Sequence, residues 1–402
     1  MPAISDEAMR SLRSGDIVEG FVFERAEDLP EIDGTAYLFR HGATGMPLMW
    51  LANDDENKSF SIAFRTPPVD DTGVFHILEH SVLCGSDRFP VKEPFVNLLK
   101  SSMQTFLNAL TFSDKTMYPV ASSNEQDLLN LMDVYLDAVL SPRLTRDRSV
   151  FEQEGWHLEA GPGGEGDEEG AEDEGLREEA SGDGSVESEP DPASPDAPEV
   201  ALRYNGVVFN EMKGALADPD SVALNGLCAA LFPDTCYRFE SGGNPLAIPS
   251  LTYESYLDTY RRHYDPSNAL AVLYGDLSLT RELSLLDGRY LRDRAPREAE
   301  PNTLELQAPV VRLDAVCRLE TEPENKVVLA GFVIGTARDR ERCLACEILV
   351  DALMGSNEAP LKRALLETGL GDDYDAFVYS GILQPFVVFE VRGAKPGTAG
   401  AF

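Results

Sequence analysis

Short apolar runs separated by polar residues mark the first strands of the chain. The segments AYLFRH, PLMWLAN and SFSIAFRT, which lie within residues 36–66, are rich in aromatic and aliphatic side chains and short enough to be strands. We therefore predict three β-strands in this part of the chain.

Longer patterns with a helical period follow the strands. They predict helices in TGVFHILEHSVLCG, PFVNLLKSSMQTFLNAL and EQDLLNLMDVYLDAVLSP. For the last helix, Ser123 or Asn124 is the candidate N-cap, since either side chain can accept a backbone hydrogen bond.

Strands and helices continue to mix further along the chain. VVFNEMKGALAD and LTYESYLDTYRRHY predict helices, and NALAVLYGDL predicts a strand. This mixture predicts one α+β domain over residues 15–285, with a mixed sheet flanked by helices.

A charged, proline-rich segment separates this domain from a second apolar region. We predict a linker over residues 286–320. Residues 321–402 again contain strand and helix patterns, but too few elements to cover a sheet. We expect this region to be the start of a second domain that looks truncated.

An acidic tract interrupts the first domain. Fifteen Asp and Glu residues but only one Arg lie between Ala160 and Val200, and residues 161–198 contain almost nothing to bury, which predicts disorder. The flanks EGWHLEA and EVALRYNGVV predict two strands, so the tract would hang from the tip of a hairpin. It is either a passive solubilising loop or an anionic lure for basic peptides.

Composition limits the class of protein. The 402 residues are 43% hydrophobic and 26% charged, which is typical of globular proteins. No apolar run approaches the roughly 20 residues of a membrane span, and the first residues lack a secretion signal. We expect no membrane partner and a cytoplasmic location.

The six cysteines favour the same compartment. They are scattered through a long chain, which predicts free thiols rather than a disulfide framework. Cys343 and Cys346 form a C-x-x-C, but they lie in one predicted amphipathic helix, which favours packing over redox or zinc chemistry.

The net charge is −36, and this acidity argues against a nucleic-acid partner. Phosphate backbones are bound by basic surfaces, and none is evident in the sequence.

One short motif carries candidate chemistry. In a helix, His76 and His80 are one turn apart and can direct two imidazoles at one point, with Glu79 beside them. Two imidazoles suit Zn²⁺, and a nearby carboxylate can take a proton from water that the metal activates. The alternative is a buried helix whose histidines are satisfied by neighbours, although polar nitrogens are costly in an apolar helix.

A third ligand would have to come from elsewhere in the chain. Glu211 stands in an otherwise apolar helical start, where a buried carboxylate would need a partner such as zinc. His41, His157 and His263 lie at a strand end, in the hairpin and in a Tyr/Arg-rich helix, and we expect ordinary structural roles for them.

Four segments in this order resemble the pitrilysin/insulinase family of zinc peptidases, in particular its presequence protease and falcilysin branch. They are GVFHILEHSVLCGSDRFPVKEPF, SMQTFLNALTFSDKTMYPVAS, FEQEGWHLE and YNGVVFNEMKGALADP, and the likeness covers most of residues 20–402. It implies a pitrilysin-type first domain, followed by a homologous second one.

The resemblance also implies roles for residues. His76, His80 and Glu211 would bind one zinc ion per chain, and Glu79 would be the general base. FLNALT would be the edge of a sheet on which a peptide lies as an added strand, lined by Asn108, Ala109 and Thr111. From pattern alone, TFLNALTF fits a helix end or a strand equally well.

The function that follows is a zinc endopeptidase that degrades unstructured oligopeptides. In relatives of this branch, a second half closes a chamber over the zinc and supplies arginine and tyrosine side chains to the substrate carbonyl. The alternative is therefore a catalytically incompetent half-molecule, or a metal- or peptide-binding subunit, that needs a C-terminal half or a partner.

Overall fold

A computed structural model describes residues 11–91, 100, 102–162, 200–310, 316 and 326–401. Fourteen strands lie in these residues: β1 Ile17–Val18, β2 Phe21–Leu29, β3 Gly34–His41, β4 Pro47–Ala52, β5 Lys58–Arg65, β6 Gln104–Leu107, β7 Leu110–Thr111, β8 Lys115–Ser122, β9 His157–Pro162, β10 Val200–Asn205, β11 Ala269–Tyr274, β12 Val327–Val333, β13 Asp373–Tyr379 and β14 Phe386–Arg392.

The α-helices in the described part of the chain are α1 Val74–Val82, α2 Glu125–Leu140, α3 Arg148–Glu154, α4 Val207–Ala215, α5 Pro219–Leu231, α6 Tyr253–His263, α7 Leu279–Leu285, α8 Arg340–Met354, α9 Pro360–Thr368 and α10 Thr398–Ala401. None of them is both long and apolar enough to cross a membrane.

The largest sheet has nine strands in the order β1-β2-β3-β4-β11-β5-β8-β6, and β7 also pairs with β8. All its pairs are antiparallel except β11 with β4, so the sheet is mixed as predicted. Strand β5 shows the period of two that a half-covered sheet requires, with Phe60, Ile62 and Phe64 buried and their neighbours partly exposed. Helices α1, α2 and α6 contribute to the same core.

Two further sheets are smaller. Strands β9 and β10 pair as an antiparallel hairpin, which confirms the predicted flanks of the acidic tract, while residues 163–199 lie outside the described residues. Strands β12-β14-β13 form an antiparallel sheet, and α5 packs against β12 at Gly331, where an added Cβ would lie 2.9 Å from Leu227.

Several sequence predictions are confirmed by the elements. The predicted strands within residues 36–66 are β3, β4 and β5, and Asn124 is the N-cap of α2, since its side chain accepts from Asp127 N at 3.0 Å. Cys343 and Cys346 both lie in α8. The described cysteines, which exclude Cys317, are thiols.

Other predictions were wrong. The helix predicted over PFVNLLKSSMQTFLNAL does not extend through residues 104–107, which pair with β8 as a strand; this is the alternative that the pattern also allowed and that the resemblance implied, and residues 92–99 and 101 lie outside the described ones. The predicted linker begins too early, since Leu286–Leu291 form a π-helical turn whose Leu286, Tyr290 and Leu291 are buried in the main core. The division into domains stays a prediction.

Candidate metal centre

Helix α1 is buried on nearly every side. It begins after Gly73, whose φ of 64° is in the left-handed region that favours glycine. From Val74 to Val82 only His80 is partly exposed. The polar groups of His76 and Glu79 are therefore held inside the fold, where each needs a partner.

Each histidine of α1 has a partner for Nδ1. His76 Nδ1 lies 2.9 Å from the carbonyl oxygen of Gly242, and His80 Nδ1 lies 3.5 Å from Glu154 Oε2. A ring that donates through Nδ1 keeps its lone pair on Nε2. Both Nε2 atoms are thereby prepared to bind a metal.

Glu211 completes the group from a different helix. Its Oε2 atom lies 3.6 Å from Nε2 of His76 and 3.6 Å from Nε2 of His80. Helix α4 begins after Gly206, where an added Cβ would lie 2.2 Å from the carbonyl oxygen of Gly155, so only glycine allows this close approach.

The sequence argument for Glu211 rested on burial, and that premise was wrong. The side chain is 52% exposed, because α4 presents this residue toward solvent. What singles it out is its position opposite two imidazoles.

The three side chains fit a zinc ion. One donor atom from each of His76, His80 and Glu211 can be chosen so that all lie within 4.8 Å of one another. Two ligands about 2.1 Å from a tetrahedral zinc lie about 3.4 Å apart, close to the observed separations of 3.6 Å. Two imidazoles and one carboxylate leave a fourth position open, as in catalytic zinc sites.

Glu79 lies on the same helix and is held by a strand of the large sheet. Its Oε2 atom accepts a hydrogen bond of 2.9 Å from Thr111 Oγ1, in β7. Burial, and to a lesser extent the nearby Glu79 carboxylate, raises the pKa of Tyr135 and keeps its hydroxyl protonated. The Glu79 carboxylate thus lies on the helix that carries His76 and His80 and is held by a hydrogen bond from Thr111.

The predicted substrate edge lies next to Glu79. Asn108 and Ala109 join β6 to β7, and Thr111 ends β7. Asn108 N donates to Pro119 O at 3.2 Å, and Tyr135 donates to Asn108 O, which fixes the backbone here. Strand β6 is the last in the sheet order, so its outer side pairs with no described strand.

Known peptidases are similar to this chain in the region that holds the site. The model of "Insulinase (Peptidase family M16)" matches residues 65–156, which include α1, and that of "Peptidase M16 inactive domain" matches residues 250–394. Protein HypA of Clostridium perfringens is 41% identical over 90% of this chain, and presequence protease 1 of Arabidopsis thaliana is 38% identical over 94%. The chain belongs to the M16 peptidase family, in its presequence protease branch.

The M16 chain spans about a third of the length of these relatives, since the alignments cover 34% and 32% of them. Solved structures share its fold. Pitrilysin aligns with a TM-score of 0.58 and 16% identity over 93% of this chain and 35% of its own. A protease from Helicobacter pylori aligns with a TM-score of 0.61 and 14% identity, over 88% and 74%.

One residue of the M16 site was missed from the sequence. Glu154 is buried at the end of α3, and its Oε1 accepts hydrogen bonds from Cys84 and Gln153. Burial raises its pKa, but the hydrogen bonds from His80 and Cys84 outweigh burial and lower the pKa overall. Glu152 and Glu154 lie two apart in one short helix, and only packing distinguishes the buried one.

The remaining histidines of the M16 chain have protein partners, as expected of structural residues. His41 lies 3.1 Å from Asp287, and His157 lies 2.7 Å from the carbonyl oxygen of Glu152. His263 lies 3.1 Å from the carbonyl oxygen of Arg65, and burial lowers its pKa. All three are away from the group formed by His76, His80 and Glu211.

Proposed function

We propose that this chain carries the active site of a zinc-dependent endopeptidase that cuts unstructured oligopeptides. The observation that supports it most is the convergence of three ligand atoms from α1 and α4, with the Glu79 carboxylate beside them. Peptidase is also the activity that the family name states.

His76, His80 and Glu211 would hold one zinc ion. When bound, zinc would polarise the scissile carbonyl group and lower the pKa of water. Glu79 would take a proton from the attacking water and deliver it to the nitrogen of the leaving amine. Thr111 would hold the Glu79 carboxylate in the required orientation during both transfers.

The substrate would be an extended peptide. The outer side of β6 offers backbone groups to an added strand, and Asn108, Ala109 and Thr111 lead from this edge to Glu79. A peptide bound in this way must be unfolded, because its own backbone groups pair with the sheet. The cytoplasm, where the scattered cysteines would remain thiols, is the location that we propose.

The test is cleavage of a quenched fluorescent peptide of about 15–20 residues, enough to extend along one strand and past it, with metal content measured on the same sample. We expect about one zinc per chain and cleavage that a chelator abolishes. Glu79→Gln should retain zinc and lose cleavage by about 10²–10⁴-fold, which is the contribution of general base catalysis.

Glu152→Gln is the matched control, because Glu152 pairs with Arg148 at the surface rather than with a ligand. Full activity of Glu79→Gln would refute the assigned role. Zinc binding without cleavage by the wild-type chain would favour the alternative, a metal- or peptide-binding subunit that needs a C-terminal half or a partner.

A further inference from the structure

The hydroxyl group of Tyr237 connects two parts of the molecule that are distant in sequence. It donates a hydrogen bond of 2.7 Å to Asp114 Oδ2 and accepts one of 3.0 Å from Leu383 N. Asp114 precedes β8 of the large sheet, and Leu383 lies between β13 and β14 of the small sheet. The ring is buried against Phe232, which in turn contacts Phe386.

Other contacts secure the same place. Residues 112–114, which connect β7 to β8, and Lys115, the first residue of β8, are together called the β7–β8 turn. Lys115 Nζ donates to the carbonyl oxygen of Gly381 at 2.8 Å and contacts Asp114 at 3.0 Å. On the other side, Thr66 N donates to the carbonyl oxygen of Asp114 at 2.9 Å. The turn is therefore held from both sheets.

This turn leads directly to the catalytic carboxylate. Thr111 immediately precedes the turn and pairs with Thr116, the second residue of β8. The Thr111 hydroxyl donates to Glu79. A strand pair of only two residues has few contacts of its own, so the contacts of the turn contribute to where the Thr111 hydroxyl lies.

We propose that Tyr237 is a positioning residue for Glu79. Through Asp114 it holds the β7–β8 turn against the small sheet, and the turn places the Thr111 hydroxyl on the Glu79 carboxylate. The region after β11 thereby contributes to a site whose ligands all come from earlier elements. The effect on catalysis by Glu79 rests on the proposed function. The role of Tyr237 in holding the turn against the small sheet does not.

The test substitutes Tyr237→Phe, which keeps the buried ring and removes both hydrogen bonds. We expect kcat to fall about tenfold with KM unchanged within about twofold, because a hydrogen bond that orients the base acts in the transition state. Hydrogen exchange of the backbone amides in residues 110–117, followed by mass spectrometry, should become about tenfold faster. Zinc content should not change.

The matched control is Tyr290→Phe. This tyrosine is also buried and donates to an aspartate, Asp133, but it contacts α2 rather than the β7–β8 turn. The Tyr290→Phe variant should lower the free energy of unfolding about as much as Tyr237→Phe does, with no effect on kcat or on hydrogen exchange in residues 110–117.

A double-mutant cycle tests the route. Thr111→Val removes the hydroxyl that reaches Glu79, so adding Tyr237→Phe should cause little further loss of kcat. Additive losses would overturn the route through Thr111. If the wild-type chain cleaves no peptide, the proposed function fails, and the hydrogen exchange of residues 110–117 alone tests whether Tyr237 holds the turn. Faster exchange in Tyr237→Phe supports this link between the sheets, and unchanged exchange overturns it.

Discussion

Two helices form the walls of the candidate metal centre, and they differ in how they hold their ligands. Helix α1 is buried, and its two imidazoles have Nδ1 partners in Gly242 and Glu154. Helix α4 places Glu211 at the surface, half exposed. One wall holds its ligands by packing and by their Nδ1 partners, whereas the other presents its ligand as a half-exposed side chain.

This difference has a consequence for affinity and stability. Ligands held by neighbours lose little freedom when the ion binds, while an exposed Glu loses rotamer freedom. Changes in α1 should therefore affect both the fold and the metal. Changes at Glu211 should affect the metal alone.

The largest effect is expected from removing a ligand of either wall. His76→Ala and Glu211→Ala should each weaken zinc binding by on the order of 10³-fold, about one ligand's share of the free energy of a zinc site. In the metal-free protein, only His76→Ala should lower the melting temperature, because it leaves a cavity and deprives Gly242 of its donor. Competition with a chelator and thermal unfolding measure the two effects.

An equal loss of metal-free stability in both variants would contradict the contrast between the walls. Glu152→Ala is a control for Glu211→Ala, since it removes a carboxylate from another helix, outside the group of ligands.

A smaller effect is expected from the partner of His80. Glu154→Gln keeps the shape but removes the charge, and should weaken zinc binding by about 10–100-fold, as loss of such a partner typically does. Isothermal titration would measure it. An unchanged affinity would show that Glu154 does not orient the ring.

The same pair predicts a pH dependence for the metal-free protein. Burial lowers the pKa of His80, but the hydrogen bond with Glu154 and nearby carboxylates outweigh it and raise the pKa above 6.5. The pKa of Glu154 is lowered below 4.5. The contribution of charged His80 to the free energy of unfolding is complete below pH 6.5 and is lost as pH rises through the raised pKa of His80. The contribution of charged Glu154 to the free energy of unfolding is complete above pH 4.5 and is lost as pH falls through the lowered pKa of Glu154.

The free energy of unfolding of the wild type should therefore exceed that of Glu154→Gln by about 1–2 kcal/mol between about pH 4.5 and 6.5, where the difference is greatest. Chemical denaturation of the chelated protein across pH 4–9 measures this difference. A difference that does not vary with pH would exclude the charged pair as its source.

Glycines of the two walls should respond in opposite directions. Gly73 precedes α1 with φ of 64°, and an added Cβ would lie 2.5 Å from the Gly242 carbonyl oxygen that His76 uses. Gly73→Ala should cost about 1–2 kcal/mol for the backbone conformation alone. It should also weaken zinc binding, because the carbonyl must move. Denaturant unfolding and metal competition test both effects.

The smallest effect belongs to Gly214 in α4, whose added Cβ would meet nothing within 4 Å. Gly214→Ala should stabilise the protein by about 0.5–1 kcal/mol, since alanine is the better helix former, and should leave zinc affinity unchanged. Destabilisation here would mean that α4 is packed more tightly than its exposure indicates.

Local pattern was sufficient where one element decides the outcome. The spacing of His76, Glu79 and His80 determines that their side chains share one part of a helix, because the helical repeat is fixed by backbone geometry. The predicted strands β3, β4 and β5 and the Asn124 cap followed from equally local rules.

Prediction of secondary structure from the sequence pattern failed where pairing or packing with distant residues determined the element. Strand β2 was not predicted, because its second half carries charged residues and only pairing with β3 makes it a strand. The pattern of TFLNALTF fitted a helix end or a strand equally well, and only the pairing of residues 104–107 with β8 makes them a strand. Leu286–Leu291 looked like a linker, yet its apolar residues enter the main core.

The sequence by itself determined which side chains could carry the chemistry and that two imidazoles and a carboxylate share α1. Only the tertiary structure decided that Glu211 faces them from an exposed helix, that Glu154 rather than Glu152 supports His80, and that Tyr237 reaches the turn beside Thr111. The physical reason is range: helical spacing is set by neighbouring residues, whereas these contacts join residues far apart in the chain that only the packed sheets and helices bring together.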